Sequence, residues 1–149
     1  MNDAFRFTHD VEVRFRDLDP MGHAHHSLPL IFFEEARARY WREVTGRGTE
    51  SVGYIMGEVH VRYHERVRFP GTVRVGVRTT RLGTKSFDME YEVRRAEDDT
   101  LLVTGRSVQV LYDYARGKSR PMDDDLRRRL AGFDRLPLEI NRKPEASPL

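Results

Sequence analysis

The sequence predicts an α+β fold: an antiparallel sheet of about five strands wrapped around one long central helix, with a short helix near the C-terminal end. Three observations predict it. Apolar and polar residues alternate with period two in five segments, as in strands with one buried face. One segment, 30–45, switches to helical spacing and is apolar beyond a single stripe, which marks a largely buried helix. The later strands are joined by short turns, and strands joined that way run antiparallel.

The elements follow in order. Val11, Val13 and Phe15 alternate with Asp10, Glu12, Arg14 and Arg16, placing a first strand at 10–16. The segment DLDPMGHAHHSLP, 17–29, then leads into the helix, with Ser27 as the expected N-cap and Pro29 in the first turn. Phe33, Ala36, Tyr40 and Val44 keep helical spacing, Leu30, Ile31, Phe32 and Trp41 widen the apolar surface, and Gly46 and Gly48 end the helix. After a loop at 46–56, Val59, Val61, Tyr63, Val67 and Phe69 alternate with His60, Arg62, His64, Arg66 and Arg68. A PGT turn at 70–72 precedes Val73, Val75 and Val77. The turn RLGTKS leads to Phe87, Met89, Tyr91 and Val93, set against Asp88, Glu90, Glu92 and Arg94. AEDD turns into a last strand at roughly 100–114, with Val108, Val110 and Tyr112 alternating. This order predicts a meander with the helix over one face. MDDDLRRRLA, 122–131, places aspartates at a helix start and arginines near its end, complementing the dipole. Residues 1–135 read as a single domain and 136–149 as a tail with little to bury.

Composition narrows the class. The 149 residues are 38% hydrophobic and 34% charged, with 26 basic against 24 acidic side chains, which describes a globular protein with a charged surface. The charges interleave instead of forming a basic block, so nucleic acid is not an expected partner. No apolar run reaches the roughly 18 residues of a membrane span, and MNDAFRFTHDVEV lacks the apolar core of a signal peptide. The absence of cysteine rules out disulfides and thiolate metal sites, and the plain expectation is a cytoplasmic protein. The cationic residues from His60 to Arg68 and the anionic Asp88, Glu90 and Glu92 read first as ion pairs across a wet sheet face. A role in attracting phosphates is the alternative.

The segment 17–29 carries the chemistry. His23, His25 and His26 could ligate a metal with Asp17 or Asp19, but adjacent His25 and His26 diverge in an extended chain, so no metal is expected. There is no G-x-S-x-G elbow, and Ser27 is better explained as a cap. Gly-rich nucleotide loops are absent as well. What remains is an acid and an imidazole ahead of a buried helix, whose first-turn N–H groups could hold a carbonyl oxygen as its charge grows. Asp19 could attack the carbon or activate water, while His26 could position water, polarise the carbonyl or protonate a leaving group. Residues alone leave this reading even with a purely structural one, in which Asp19 caps a turn and His26 is a polar lid.

VRFRDLDPMGHAHHSLPLIFFEEARARYW resembles the first strand, active-site loop and central helix of hotdog-fold acyl-CoA thioesterases, nearest to the 4-hydroxybenzoyl-CoA thioesterase-like family. That family's pattern, D-x-D-x-x-G and then a helix with E-x-A-R, falls here on Asp17, Asp19, Gly22, Glu34 or Glu35, Ala36 and Arg37. VRYHERVRFPGTVRV, TRLGTKSFDMEYEV and GRSVQVLYDYARGKSRPM resemble its later strands in the right order. The resemblance implies the hotdog fold and hydrolysis of an acyl-CoA to acid and CoA. Asp19 would be the catalytic carboxylate and His26 the position whose N–H meets the thioester carbonyl, its ring catalytic in one bacterial branch. Gly22, His23, Ser27 and Glu35 would help position substrate or the oxyanion. Basic residues near the third-to-fourth hairpin would meet CoA, here Lys85 and Ser86, with Arg62 and Arg81 as further candidates. No cofactor is implied beyond the CoA of the substrate. The resemblance also implies a homodimer joined edge to edge between sheets, with sites at the interface and often a tetramer beyond. A hotdog hydratase or dehydratase and a non-catalytic acyl-CoA-binding module are the alternatives.

Overall fold

Residues 4–48 and 53–138 are described by a computed structural model. In chain order they form β1 (Phe7–Val13), a 3-10 turn (Phe15–Asp17), α1 (Leu28–Thr45), β2 (Tyr54–Tyr63), β3 (Gly71–Leu82), β4 (Ser86–Arg95), β5 (Leu101–Asp113), the short β6 (Lys118–Ser119) and α2 (Asp124–Asp134). All six strands join one sheet, ordered β1-β3-β4-β5-β2, with β6 beside β5, and every pairing is antiparallel. The expected wrapped helix and the second helix are present. The simple meander is not: only β3, β4 and β5 follow one another, while β2 crosses to the far edge and pairs with β5. Alternation fixes which face of a strand is buried but says nothing about its neighbour.

α1 lies against the sheet through aromatic contacts. Phe33 stacks on Tyr91 with ring centroids 4.3 Å apart, and Trp41 stacks on Phe87 at 5.9 Å while meeting Tyr54 edge-on. Tyr40 meets Phe7 and Phe133 edge-on, tying the helix to β1 and α2. Phe33 sits where it does because position 105 is glycine: a Cβ there would come within 2.5 Å of its ring. The helix is narrower in its apolar face than the sequence suggests. Phe32 and Trp41 are buried, but Leu30 and Ile31 face outward, 40% and 58% exposed. Gly46, in the left-handed region at φ 71°, closes the helix by donating its N–H to the Arg42 carbonyl.

Three further boundaries differ from the sequence pattern. β1 stops at Val13, and Phe15 is 77% exposed in the 3-10 turn, because the acid-rich loop must leave the sheet there. β2 begins earlier, at Tyr54, and ends at Tyr63, so only His60 and Arg62 of the expected cationic stripe lie on the strand. The anionic stripe on β4 pairs instead with arginines of β3 and of its own strand: Arg81 with Asp88 at 2.8 Å, Arg78 with Glu90 at 2.6 Å, and Arg94 with Glu92 at 2.8 Å. In α2 the Asp123 carboxylate accepts from Leu126 N–H as a true N-cap, but Arg127, Arg128 and Arg129 fall mid-helix, and the last turn carries no basic residue. Of the expected tail, residues 139–149 lie outside the described residues, as do 49–52 of the expected loop.

Candidate active site

The first acid of the D-x-D pair builds the loop, and the second faces a cleft. Asp17 Oδ2 accepts the Arg14 N–H at 2.7 Å, closing the 3-10 turn, and its carbonyl accepts the His25 N–H at 2.8 Å. Leu18 and Ala24 form an isolated antiparallel bridge, so residues 19–23 project as a tight loop. Gly22 turns it at φ 78°, a conformation open to glycine and strained for other residues. Inside the loop, Asp19 Oδ1 accepts the N–H groups of Met21 at 2.9 Å and His23 at 3.2 Å. Asp19 Oδ2 takes no hydrogen bond among the described residues.

The start of α1 leaves one N–H unused. Ser27 stands at the N-cap, as expected, but its hydroxyl does not cap; it bonds His25 Nδ1 at 2.8 Å. That ring nitrogen also accepts the Ser27 N–H at 3.2 Å, so the serine hydroxyl donates to it. The Leu28 N–H goes to the His25 carbonyl at 2.9 Å, and Pro29 has no N–H to offer. The His26 N–H, by contrast, has no acceptor among the described residues. The His25 and His26 rings do not diverge. They lie against each other, tilted by 32°, with centroids 4.2 Å apart, because the chain turns at this point instead of running extended.

Asp19, His23, His25 and His26 line one cleft of about 350 Å³, with Ala24, Pro29, Val67 and Val103 as its apolar wall. Tyr63, His64, Glu65 and Arg66 also line it. Tyr63 is the last residue of β2 and the other three follow it, where the chain leaves the strand and the Val67 carbonyl accepts the Ala24 N–H at 3.3 Å. Arg66 donates to His23 Nε2 at 2.9 Å, and since arginine only donates, this nitrogen is the unprotonated one. The sequence reading did not single out Tyr63 or Arg66 for the site. Their place in a strand-like alternation concealed the exit of the chain into the cleft. Among the described residues, no group of three or more His, Asp or Glu is arranged to hold a metal ion.

The remaining candidates lie elsewhere. Glu35 is paired with His9 Nε2 at 2.8 Å on the β1 side of α1 and is not part of the cleft wall. Arg81 and Ser86 are buried and bonded to each other at 2.9 Å, with Arg81 also held by Asp88. Arg62 is exposed and lines a different hollow on the open face of the sheet. Lys85 is exposed in the β3–β4 turn, where its carbonyl accepts the Leu111 N–H at 2.8 Å. Leu111 pairs with Tyr54 at one end of β2, whereas the cleft is at the Tyr63 end. The nine steps of β2 between them span about 30 Å.

A single long helix wrapped by an antiparallel sheet ordered β1-β3-β4-β5-β2 is the hotdog fold, here with an acid-bearing cleft at the start of its helix. The chain belongs to the thioesterase-like superfamily, whose sequence profile matches residues 13–130. A thioesterase from Thermus thermophilus, crystallised with coenzyme A and Zn, is 30% identical, with 91% of this chain and 99% of that one covered and a TM-score of 0.83. Slr0204 from Synechocystis, a 1,4-dihydroxy-2-naphthoyl-CoA thioesterase, shares the fold at 19% identity and a TM-score of 0.76, covering 86% and 97% of the two chains. The uncharacterised protein YsmA of Bacillus subtilis strain 168 is 26% identical over 123 residues, 82% of this chain and 83% of YsmA.

Proposed function

We propose that the protein hydrolyses an acyl-CoA thioester to the free acid and CoA, using the Asp19 carboxylate and the His26 N–H. One observation carries this reading: Asp19 Oδ2 and the His26 N–H are both left without partners in the described residues, and both residues line the same cleft. A thioester carbonyl accepting from the His26 N–H would gain most from that bond as charge collects on its oxygen. Asp19 then acts in one of two balanced ways. It attacks the carbonyl carbon, expels the CoA thiolate and leaves a mixed anhydride that water opens; or it takes a proton from a water that attacks the carbon directly, and the adduct then collapses with the C–S bond broken and the CoA thiolate leaving, to be protonated by that proton or by solvent. The apolar wall of Ala24, Pro29, Val67 and Val103 suits the acyl group. The coenzyme A bound to the Thermus thioesterase supports CoA as the other part of the substrate.

The same reading makes the working unit a homodimer joined through β2. This strand is an edge with one unpaired side, and Val59 and Tyr63 on it are 40% and 53% exposed, as an interface strand would be in isolation. Antiparallel pairing of β2 with its own copy would bring the Tyr54 end of one chain beside the Tyr63 end of the other. Lys85 of the second copy would then approach the cleft that its own chain leaves about 30 Å away. A tetramer built from two such dimers is the further assembly in this reading.

The test is a panel of short, long and aromatic acyl-CoA substrates assayed by release of free thiol, on wild type and Asp19→Asn. Asparagine keeps an oxygen for the Met21 and His23 N–H groups, so the loop is preserved while the carboxylate is lost. Turnover by the wild type, and its loss in Asp19→Asn by about 10²–10⁴-fold, is the expected result. Equal turnover by both proteins would refute the role of Asp19.

A further inference from the structure

We propose that Tyr63 is a positioning residue for the oxyanion site, acting through the carbonyl of His26; this rests on the role given above to the His26 N–H. α1 opens on Ser27-Leu28-Pro29-Leu30. At the start of α1 the N–H groups turn back three residues: Leu28 to the His25 carbonyl at 2.9 Å and Leu30 to the Ser27 carbonyl at 3.1 Å. The donor for the His26 carbonyl in this pattern would be residue 29, and Pro29 has no N–H. The oxygen is therefore left without a helical donor. The Tyr63 hydroxyl, at the last position of β2, donates to it instead.

His26 is consequently fixed on both sides while its own N–H stays free. Before it, the His25 N–H is held by the Asp17 carbonyl at 2.8 Å; after it, the His26 carbonyl is held by Tyr63. A donor aimed at a developing oxyanion works only if it does not have to reorient during the reaction. Core packing does not account for Tyr63, since the residue is 53% exposed and borders the cleft. Its hydroxyl couples the edge strand to the start of the helix at the residue whose N–H the reaction uses.

Tyr63→Phe removes only that hydroxyl. In the acyl-CoA assay kcat falls by about 10–100-fold while KM moves by less than about threefold, because the interaction lost is one that aims a transition-state donor. Pro29→Ala supplies the missing N–H at the residue that can reach the His26 carbonyl. Combined with Tyr63→Phe it restores at least about fivefold of the lost kcat, as a coupled pair requires. A tyrosine needed merely for stability would lower Tm and kcat together and would gain nothing from Pro29→Ala. With Asp19→Asn inactive, kcat of Tyr63→Phe within twofold of wild type overturns the proposal. So does a double variant no faster than Tyr63→Phe. An active Asp19→Asn instead overturns the underlying function, and the proposal with it.

Discussion

The Tyr40 hydroxyl donates to Asp134 Oδ2 across 2.5 Å, joining the middle of α1 to the last residue of α2. The same carboxylate oxygen accepts the Thr79 N–H at 2.9 Å, just past the last residue of β3 that β1 covers. Burial pushes the Asp134 carboxyl up from the ordinary aspartate value, outweighing the Tyr40 and Thr79 hydrogen bonds that act to lower it. The folded protein thus binds this proton more tightly than the unfolded chain does. The stabilisation is complete below the ordinary carboxylate pKa of about 4 and is lost as pH rises through the raised folded value. Asp134→Asn, which keeps an acceptor oxygen, should flatten the decline of Tm with pH in that window. Thermal melts of both proteins from acid to neutral pH check this, and identical slopes would exclude it.

Gly105→Ala should destabilise by about 1–3 kcal/mol, the usual cost of overpacking a core. The new methyl would come within 2.5 Å of the Phe33 ring and 3.0 Å of the His60 carbonyl. Phe33→Leu in the same chain should recover part of the loss, because it removes the ring but leaves the backbone contact. Urea titration of the two single variants and the double variant measures the coupling.

His26→Ala should keep kcat within about tenfold of wild type, since a backbone N–H survives the substitution and an oxyanion donor is what the site is read to need. The His26 ring makes no hydrogen bond among the described residues and lies tilted against the His25 ring. A fall beyond a hundredfold, with Tm unchanged, would move the chemistry onto the imidazole.

Lys85→Glu should raise KM for acyl-CoA and leave kcat nearly unchanged, as expected when only ground-state binding is weakened. The proposed dimer allows a sharper test. If, as proposed, each site of a β2-joined dimer draws Asp19 from one chain and Lys85 from the other, mixed dimers of Lys85→Glu chains with Asp19→Asn chains should contain one site with both wild-type residues. Low-KM activity should therefore return on mixing. No recovery in verified mixed dimers would mean that the two residues do not meet across β2.

Much of this was legible in the sequence. Alternation in Val73, Val75 and Val77 and in Phe87, Met89, Tyr91 and Val93 reports side chains that are buried in the sheet, since period two is a local property of the strand. The D-x-D loop and the helix behind it were visible for the same reason: capping, turning and apolar spacing act within a few residues. Most of the failures involve contacts between different segments, and one is a local competition. Nothing local in β2 distinguishes pairing with β5 from pairing with β3. Arg81, a further candidate for meeting CoA by sequence, is buried because Asp88 and Ser86 face it from the next strand. The hydroxyl of Ser27 matched a cap by type and position, but the His25 ring, two residues earlier, competes for it.

The crossing of β2 to the far edge has a kinetic consequence. β3, β4 and β5 join through short turns and can zip up as successive hairpins, whereas β2 finds β5 only after both intervening strands exist, and β1 finds β3 across the whole helix. Loop-closure entropy delays such contacts, so β1 and β2 should settle last, and the Tyr63 end of β2 lines the cleft. Pulse-labelled amide exchange during refolding should protect β4 first and the Tyr63 end of β2 late. Acyl-CoA cleavage would then be the final property a nascent chain acquires, appearing only once its outermost strands have closed.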